Sequence, residues 1–472
     1  MGKSSVKPQV DQENLHRGLK ERHIQLISLG GAIGVGLFYG SATAIKTAGP
    51  ALMLSYMLAG IVIFFIMRAL GEVAVAHPVS GSFSAYARTF LGPLSGYLTG
   101  WTYWFMWIVT CMAEVTAVGI YVQFWIPEMP QWITALAALI CMTAVNFIAV
   151  SAYGEFEFWF ALIKIVTIVA MIVIGGAMII FGIGNAGVPV GISNLWTAGG
   201  GFFAMGAEGI LLSLVMVMFA YLGIELVGVT AGEAQDPEKT LPSAIDKILW
   251  RILIFYVGAL FVIMSLYPWD KLGTIGSPFV ATFSKLGIGY AAGIINFVVL
   301  TAALSSCNSG IFSTGRMLYN LALQSKAPAM FAELSERKVP AKAIGVSAIF
   351  LLIGIVLNYV VPGKAFTYIT SVATSGALWV WAIILIVQMK FRQNLSPQEI
   401  ADLKYPMPGY PLANWVCLAF LILVVIVMFF TEDTRIALYI APIWFGLLLA
   451  AYYGFKLNVA DKEVVEAEKT QK

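Results

Sequence analysis

Long apolar runs, separated by short polar connections, recur along almost the whole chain. A mostly apolar run of about 20 residues can cross a bilayer as a helix, and we predict twelve such spans. Their approximate bounds are 23–46, 51–76, 94–125, 131–150, 156–181, 207–232, 246–268, 278–304, 342–361, 366–390, 412–430 and 436–456. Because backbone groups in lipid must pair within their own segment, this pattern predicts an all-α polytopic membrane protein that has the lipid bilayer as its partner.

The composition agrees with this pattern. The chain has 472 residues, of which 60% are hydrophobic and only 11% charged, a balance that excludes a soluble globular protein. Residues 1–22 are polar and lead directly into the first span, so we expect a retained tail and not a cleavable signal peptide. Basic residues concentrate in this tail and in alternate connections, including 393–411, which predicts a cytosolic location for both tails, 1–22 and 457–472. The net charge of +3 follows from this orientation and does not indicate a nucleic-acid partner.

Two predicted spans contain glycines where a helix is expected to continue. The first, LGGAIGVGLFYG at Leu29–Gly40, has four glycines within seven positions, and each costs roughly 1 kcal/mol relative to alanine in a helix interior. The sixth, FAYLGIELVG at Phe219–Gly228, carries Gly223, Glu225 and Gly228. An unwound segment survives in a membrane only where protein or a cavity satisfies its backbone. We therefore predict a binding site at the two breaks; the alternative is close helix packing through small residues.

The two breaks stand at matching positions of an inverted repeat. Four spans separate the first from the sixth, so five-helix units over about 23–181 and 207–390 have opposite orientations in the membrane. The half-helix after the first break then begins with free N–H groups around Val35 and Gly36, which suit a carboxylate. The first half of the sixth span ends with free carbonyl groups at Phe219–Leu222, which suit an ammonium group. Together these groups predict a site for an α-amino acid.

Three ionisable residues lie at membrane depth, where an unpaired charge is costly. Lys164 is about nine residues into the fifth span, roughly 14 Å deep, and we expect it to face the bundle; a structural charge held by helix-end carbonyls is the alternative. Glu225 follows the sixth-span break and either senses a proton or accepts N–H bonds from the unwound segment. Glu114, in the third span, faces the pocket or pairs with a neighbouring hydroxyl.

Several motifs resemble those of the amino acid, polyamine and organocation transporter superfamily, specifically its bacterial amino acid permeases. They are GGAIGVGLF, the segment Ala220–Glu225, the segment AGEAQDPEKTLP at Ala231–Pro242, and the layout Ala48-Gly49-Pro50, Gly71-Glu72 and Pro78. The resemblance runs from about Leu15 to the last span.

This resemblance implies a LeuT-like fold with access alternating around a midplane site. Ten core helices within 23–392 form the two inverted repeats with broken helices 1 and 6, and two further helices occupy 412–456. Lys164 would stand in for the sodium ion of sodium-driven relatives. By position, the implied substrate residues are Ala32, Ile33, Val35 and Gly36 for the carboxylate and Phe219 and Leu222 for the amine; the implied coupling residues are Lys164, Glu225 and Glu114, with Ser305 and Ser306 as candidate neighbours.

These observations favour a secondary transporter that imports a small neutral amino acid by proton symport across the cytoplasmic membrane of a bacterium. Two alternatives share the fold: an exchanger, against which Lys164 argues because exchange needs no coupling ion, and a non-transporting sensor. A channel is disfavoured because the polar features concentrate at one level, and an enzyme because we find no HExxH or GxSxG motif and no clustered metal ligands. We expect no cofactor or metal beyond the coupling proton.

The substrate and the oligomeric state are less well defined. Glycine, alanine, serine and threonine are favoured, proline and histidine are close alternatives, and either the L or the D form fits. The chain is either a monomer or a homodimer.

Overall fold

The structure is a computed structural model that describes residues 33–79, 82–148, 150–229, 236–272, 277–284 and 290–457. The regular elements within these residues are helical. The α-helices that matter below are α1 (Ser41–Ala48), α2 (Leu52–Ala76), α3 (Ser82–Leu91), α4 (Pro93–Gln123), α5 (Gln131–Ile148), α6 (Val150–Phe181), α7 (Gly206–Ala220), α8 (Leu226–Val229), α9 (Pro237–Asp246), α10 (Ile248–Arg251), α11 (Ala259–Leu266), α12 (Pro278–Ser284), α13 (Ala291–Leu323), α14 (Ala341–Val360), α15 (Pro362–Gln393), α16 (Leu412–Phe430) and α17 (Glu432–Gly454).

Ten helical segments in the described part of the chain are long and apolar enough to cross a bilayer. One of them, Gly36–Ala76, joins a π-helical turn at Gly36–Gly40, α1, a 3₁₀ turn at Gly49–Ala51 and α2, so it covers parts of two predicted spans. The apolar helix α7 corresponds to the sixth predicted span but is shorter, with 15 residues. The prediction of an all-helical protein with many membrane spans is confirmed.

The predicted bounds of the eighth span, 278–304, are wrong. The structure has the short helix α12 and then α13, which contains 33 residues and continues to Leu323. The second half of α13 carries polar residues such as Asn308, Ser309 and Thr314, which are buried against protein. Their polarity ended the apolar run in the sequence although the helix continues. Ser305 and Ser306, which we assigned to the eighth span, lie near the middle of α13.

The helix α4 is the centre of the bundle. It is buried along most of its length and packs most extensively against α13 and α15, whereas α17 is largely exposed. The helix α6 packs against α13, and α1 lies alongside α7. Buried polar groups on α4, α6 and α13 can therefore meet next to the segment that leads into α1.

Candidate functional site

The sixth predicted span is interrupted within the segment that the glycine pattern indicates. The helix α7 ends at Ala220, a turn occupies Tyr221–Glu225, and α8 begins at Leu226. Gly223 has a φ of +96°, in the left-handed region that costs other residues about 1–2 kcal/mol. Its N–H donates to Oε2 of the buried Glu225 at 3.1 Å. The Glu225 carboxylate thus accepts a backbone N–H within the turn, as one of its two predicted roles requires.

Tyr256 satisfies a backbone group at the end of α7. Its hydroxyl donates to the carbonyl oxygen of Ala220 at 3.0 Å. Tyr256 itself lies in a π-helical turn, Ile252–Gly258, between α10 and α11. Such turns are rare and occur frequently at functional sites. This contact shows how the bundle supports the interrupted helix, because a buried carbonyl without a donor would be costly.

The second half of the first predicted break also lies in the described residues. Ile33 and Gly34 form a bend, and the N–H groups of Leu37 and Phe38 both donate to the carbonyl oxygen of Gly34, at 3.2 and 3.3 Å. The helical segment Gly36–Ala48 starts immediately after this bend. Ala32, which was assigned to the carboxylate site, lies outside the described residues.

Gly36 brings the two interrupted segments into direct contact. A Cβ atom at this position would lie 2.6 Å from Cα of Ala220, which is closer than real Cβ contacts allow. The absence of a side chain is therefore required for the packing of this segment against the end of α7. The described members of the predicted substrate site are all buried: Ile33, Val35, Gly36, Phe219 and Leu222.

The carboxylate of Glu114 lies at the start of the Gly36–Ala48 segment. It interacts with the backbone of Val35 and with the hydroxyl of Ser306. A Cβ atom at Gly34 would be 2.7 Å from Oε1 of Glu114 and 3.2 Å from Oγ of Ser306. Free N–H groups at the start of a helix attract anions. The segment predicted to suit a carboxylate has a protein carboxylate beside it.

Lys164 is fully buried on α6, where it interacts electrostatically with Glu157 of the same helix and with Glu114 of α4. The hydroxyl of Ser305 on α13 donates to Oε2 of Glu157 at 2.9 Å. We call Glu114, Glu157, Lys164, Ser305 and Ser306 the charged cluster. This cluster contains two of the three predicted coupling residues, Glu114 and Lys164, and both candidate neighbours, Ser305 and Ser306, while Glu225 lies at the α7 break.

Glu157 was missed by the sequence analysis. It is 1% exposed and lies seven residues before Lys164 on the same helix, hence on the same face two turns away. That spacing is the sequence signal that could have revealed it. At the start of the predicted fifth span, however, a glutamate is expected at the membrane surface.

Four aromatic rings from different elements form a continuous row beside the breaks. The ring of Phe219 on α7 lies 6.2 Å from that of Phe366 on α15, and Phe366 lies 4.8 Å from Tyr39. Tyr39 in turn lies 6.2 Å from Tyr121 on α4. Each pair is nearly perpendicular, the edge-to-face arrangement that aromatic rings favour. The row links the end of α7, before the second break, and the segment after the first break to α4 and α15.

A sequence profile of the family described as "Amino acid permease" matches residues 23–463. The chain belongs to the amino acid permease family. This permease is therefore a multi-pass membrane protein that transports amino acids and is not an enzyme, which confirms the resemblance drawn from its motifs.

Curated relatives of the permease come from bacteria. It is 64% identical over 446 residues to "Uncharacterized amino acid permease YtnA" of Bacillus subtilis (strain 168), covering 94% of this chain and 96% of the relative. It is 50% identical, with the same coverage, to "Probable threonine/serine transporter YbxG" of the same organism. Identity to "Aromatic amino acid transport protein AroP" of Escherichia coli O157:H7 is 44% over 448 residues, or 95% and 97% of the two chains.

Proposed function

We propose that this permease imports a small neutral amino acid across the bacterial cytoplasmic membrane by proton symport. The observation that carries the proposal is the position of the charged cluster against the bend that precedes the Gly36–Ala48 segment. A group that gains or loses a proton there acts directly on the segment assigned to the substrate carboxylate. Alternating access between two conformations would couple proton binding to substrate binding.

The substrate site lies between the two breaks. Ala32, Ile33, Val35 and Gly36 line the site of the substrate carboxylate, and the backbone of Val35 also interacts with Glu114. The carbonyl groups of Phe219 and Leu222 receive the amine, and the ring of Phe219 covers the bound molecule. Helix ends bind charged groups favourably in a buried site because their peptide dipoles are already oriented toward the ligand.

Small neutral substrates are supported by the relatives. The permease is more similar to the probable threonine/serine transporter, at 50% identity, than to the aromatic amino acid transport protein, at 44%. We therefore place threonine and serine first, followed by alanine and glycine, with proline and histidine as the alternative substrates.

The proposed architecture is LeuT-like, with twelve spans and both tails in the cytosol. Its support is the α7 break, the bend before Gly36 and the packing of α1 alongside α7. In this arrangement, repeats over about 23–181 and 207–390 form the core within 23–392, the connection 393–411 is cytosolic, and the segment 412–456 adds two helices.

The test is uptake of radiolabelled amino acids into proteoliposomes, with and without an acidic outside, for the wild type, Lys164→Ala and the exposed-charge control Lys247→Ala. We expect accumulation of threonine or serine that requires the proton gradient in the wild type and the control, and that is lost in Lys164→Ala. Exchange that ignores the gradient and persists in Lys164→Ala would contradict symport and favour an exchanger. Binding without any transport would favour a sensor.

A further inference from the structure

Glu157 is the one carboxylate of the charged cluster to which the proposed function gives no role. Its partner on α6 is Lys164, two turns further along the same face. Side chains on a helix lean toward its N-terminus, so the Lys164 side chain leans toward Glu157. Both Glu157 and Glu114 interact electrostatically with Lys164.

The two carboxylates of the charged cluster are attached to different parts of the bundle. Glu157 accepts a hydrogen bond from Ser305, in the middle of the long helix α13. Glu114 instead touches Gly34 and Val35 at the bend before the Gly36–Ala48 segment. Glu157 therefore ties Lys164 to the scaffold, whereas Glu114 ties it to the interrupted helix.

The charges of the cluster do not cancel when all three groups are ionised. Two carboxylates and one ammonium group leave a single excess negative charge in a buried site, where an uncompensated charge is very costly. Oε2 of Glu114 and Oε1 of Glu157 each have no hydrogen-bond partner among the described residues. One bound proton makes the cluster neutral. The other titratable groups around Glu114 are Tyr121 and Cys111 of its own helix, with Cys307 of α13 beside Cys111, and all three are neutral when protonated.

We propose that Glu157 is a positioning residue for proton coupling. It stays ionised as the permanent counter-ion of Lys164 and holds Lys164 against α13. The transported proton consequently binds at Glu114. The proposal rests on the proton symport put forward above. Protonation of Glu114 weakens its attraction for the Val35 N–H and for Lys164. Glu114 therefore holds the bend before Gly36 when it is ionised and releases the bend when it is protonated.

Glu157→Gln tests this role, because the amide keeps the size of the side chain and an acceptor for Ser305 but removes the charge. Of the two carboxylates that interact with Lys164, Glu114 is then the one that remains, and Lys164 favours the ionised form of Glu114. We expect the pH of half-maximal uptake to move toward acid by about one unit, a tenfold change in proton concentration. Counterflow exchange at fixed pH, which needs binding and access but no net proton movement, should be largely retained.

Three further variants sharpen the test. Glu157→Asp keeps the charge and should return the pH profile toward that of the wild type. Glu128→Gln removes an exposed carboxylate between α4 and α5 and should leave the profile unchanged. The double variant Glu157→Gln with Lys164→Ala restores the charge balance that Lys164→Ala disturbs, so it should recover gradient-driven uptake relative to Lys164→Ala alone.

The outcomes separate this proposal from the proposed function. A wild type whose uptake ignores the gradient would overturn symport and the role of Glu157 with it. Proton-driven uptake in the wild type, with an unchanged pH profile in Glu157→Gln and no recovery in the double variant, would overturn the role of Glu157 alone. If Glu157→Gln does not give a monodisperse protein, the double variant decides: recovery of gradient-driven uptake relative to Lys164→Ala supports the role of Glu157, and no recovery overturns it.

Discussion

Arg392 donates two hydrogen bonds to the carboxylate of Glu72, from Nε at 2.7 Å and from Nη2 at 2.6 Å. The Glu72 side chain is fully buried, and that of Arg392 is 10% exposed. Gln388 donates to the same carboxylate at 2.9 Å, and the N–H of Met407 donates to its other oxygen. This ion pair joins the end of α2, the end of α15 and the connection that precedes α16.

Removal of one partner of this buried pair should be strongly destabilising. Arg392→Ala leaves the Glu72 carboxylate buried without its charged partner, which typically costs about 3–5 kcal/mol. We expect a clearly lower melting temperature of the detergent-solubilised permease, measured by thermal unfolding followed by size-exclusion chromatography. The matched control is Lys364→Ala, which breaks the exposed Lys364–Asp433 pair of 3.0 Å and should change the free energy of unfolding little, because solvent screens the pair. Equal effects of the two substitutions would contradict a supporting role for the Glu72 pair.

Gly223→Ala should impair transport through the backbone of the α7 break. With a φ of +96°, this position disfavours any side chain by about 1–2 kcal/mol, and a shift of the backbone would disturb its hydrogen bond to Glu225. We expect slower uptake in proteoliposomes together with a modest loss of thermal stability. Gly176→Ala on α6 is the control, because a Cβ atom there meets nothing within 4 Å and alanine favours the helix by about 1 kcal/mol. Normal uptake by Gly223→Ala would show that the turn tolerates another conformation.

Gly36→Val should abolish substrate binding while leaving the permease folded. Even the first side-chain carbon would overlap Cα of Ala220, and since the obstructing atom belongs to the backbone, no change of rotamer relieves the overlap. Gly36→Ala should therefore already weaken binding, as measured by the increase in melting temperature on addition of the transported amino acid. Gly446→Ala on α17, where a Cβ atom has open space, is the control. Retained binding in Gly36→Val would refute the assignment of the carboxylate site to this segment.

The stability of the permease should fall in mild acid because of His77, which follows directly after α2. Burial lowers the pKa of His77 below its ordinary value of 6.5, and its ring packs edge-to-face on Phe391 with centroids 5.5 Å apart. The folded state therefore binds this proton less tightly than the unfolded state. The contribution of neutral His77 is complete above pH 6.5 and is lost as the pH falls below that value.

The measurement is the melting temperature of the wild type and of His77→Gln between pH 8 and pH 5. The difference between the two proteins isolates His77 from the carboxylates that titrate in the same range. We expect the wild type to lose more stability than the variant below about pH 6.5. Parallel curves would show that the imidazolium is accommodated without cost.

The sequence predicted the features that follow from the cost of leaving polar or charged groups unpaired in lipid. Glycines in an apolar span imply backbone groups that need partners, and the turn at Tyr221–Glu225 lies within the predicted segment. A lysine halfway through a span must face protein, and Lys164 is fully buried. Both inferences depend on the cost of unpaired polar groups in lipid and not on tertiary detail.

The features that the sequence did not predict depend on which face of a helix meets protein. Hydropathy alone cannot distinguish a polar residue at the membrane surface from one that faces a neighbouring helix, so Glu157 and the second half of α13 were missed. The π-helical turn at Ile252–Gly258 occurs within an uninterrupted apolar run, and a change of helical hydrogen bonding leaves no trace in composition. The partners Tyr256 and Ala220 are 36 positions apart, and only the fold brings them together.

The contact between Gly36 and Ala220 also limits how the two half-helices can move. Side chains between neighbouring helices can reorient and so let the helices slide, but here Gly36 has no side chain and lies directly on the backbone of Ala220. At this point no adaptable side chain separates the two segments. A slip of one segment past the other would press the two backbones together here, so we expect the two half-helices to move as one body or to separate.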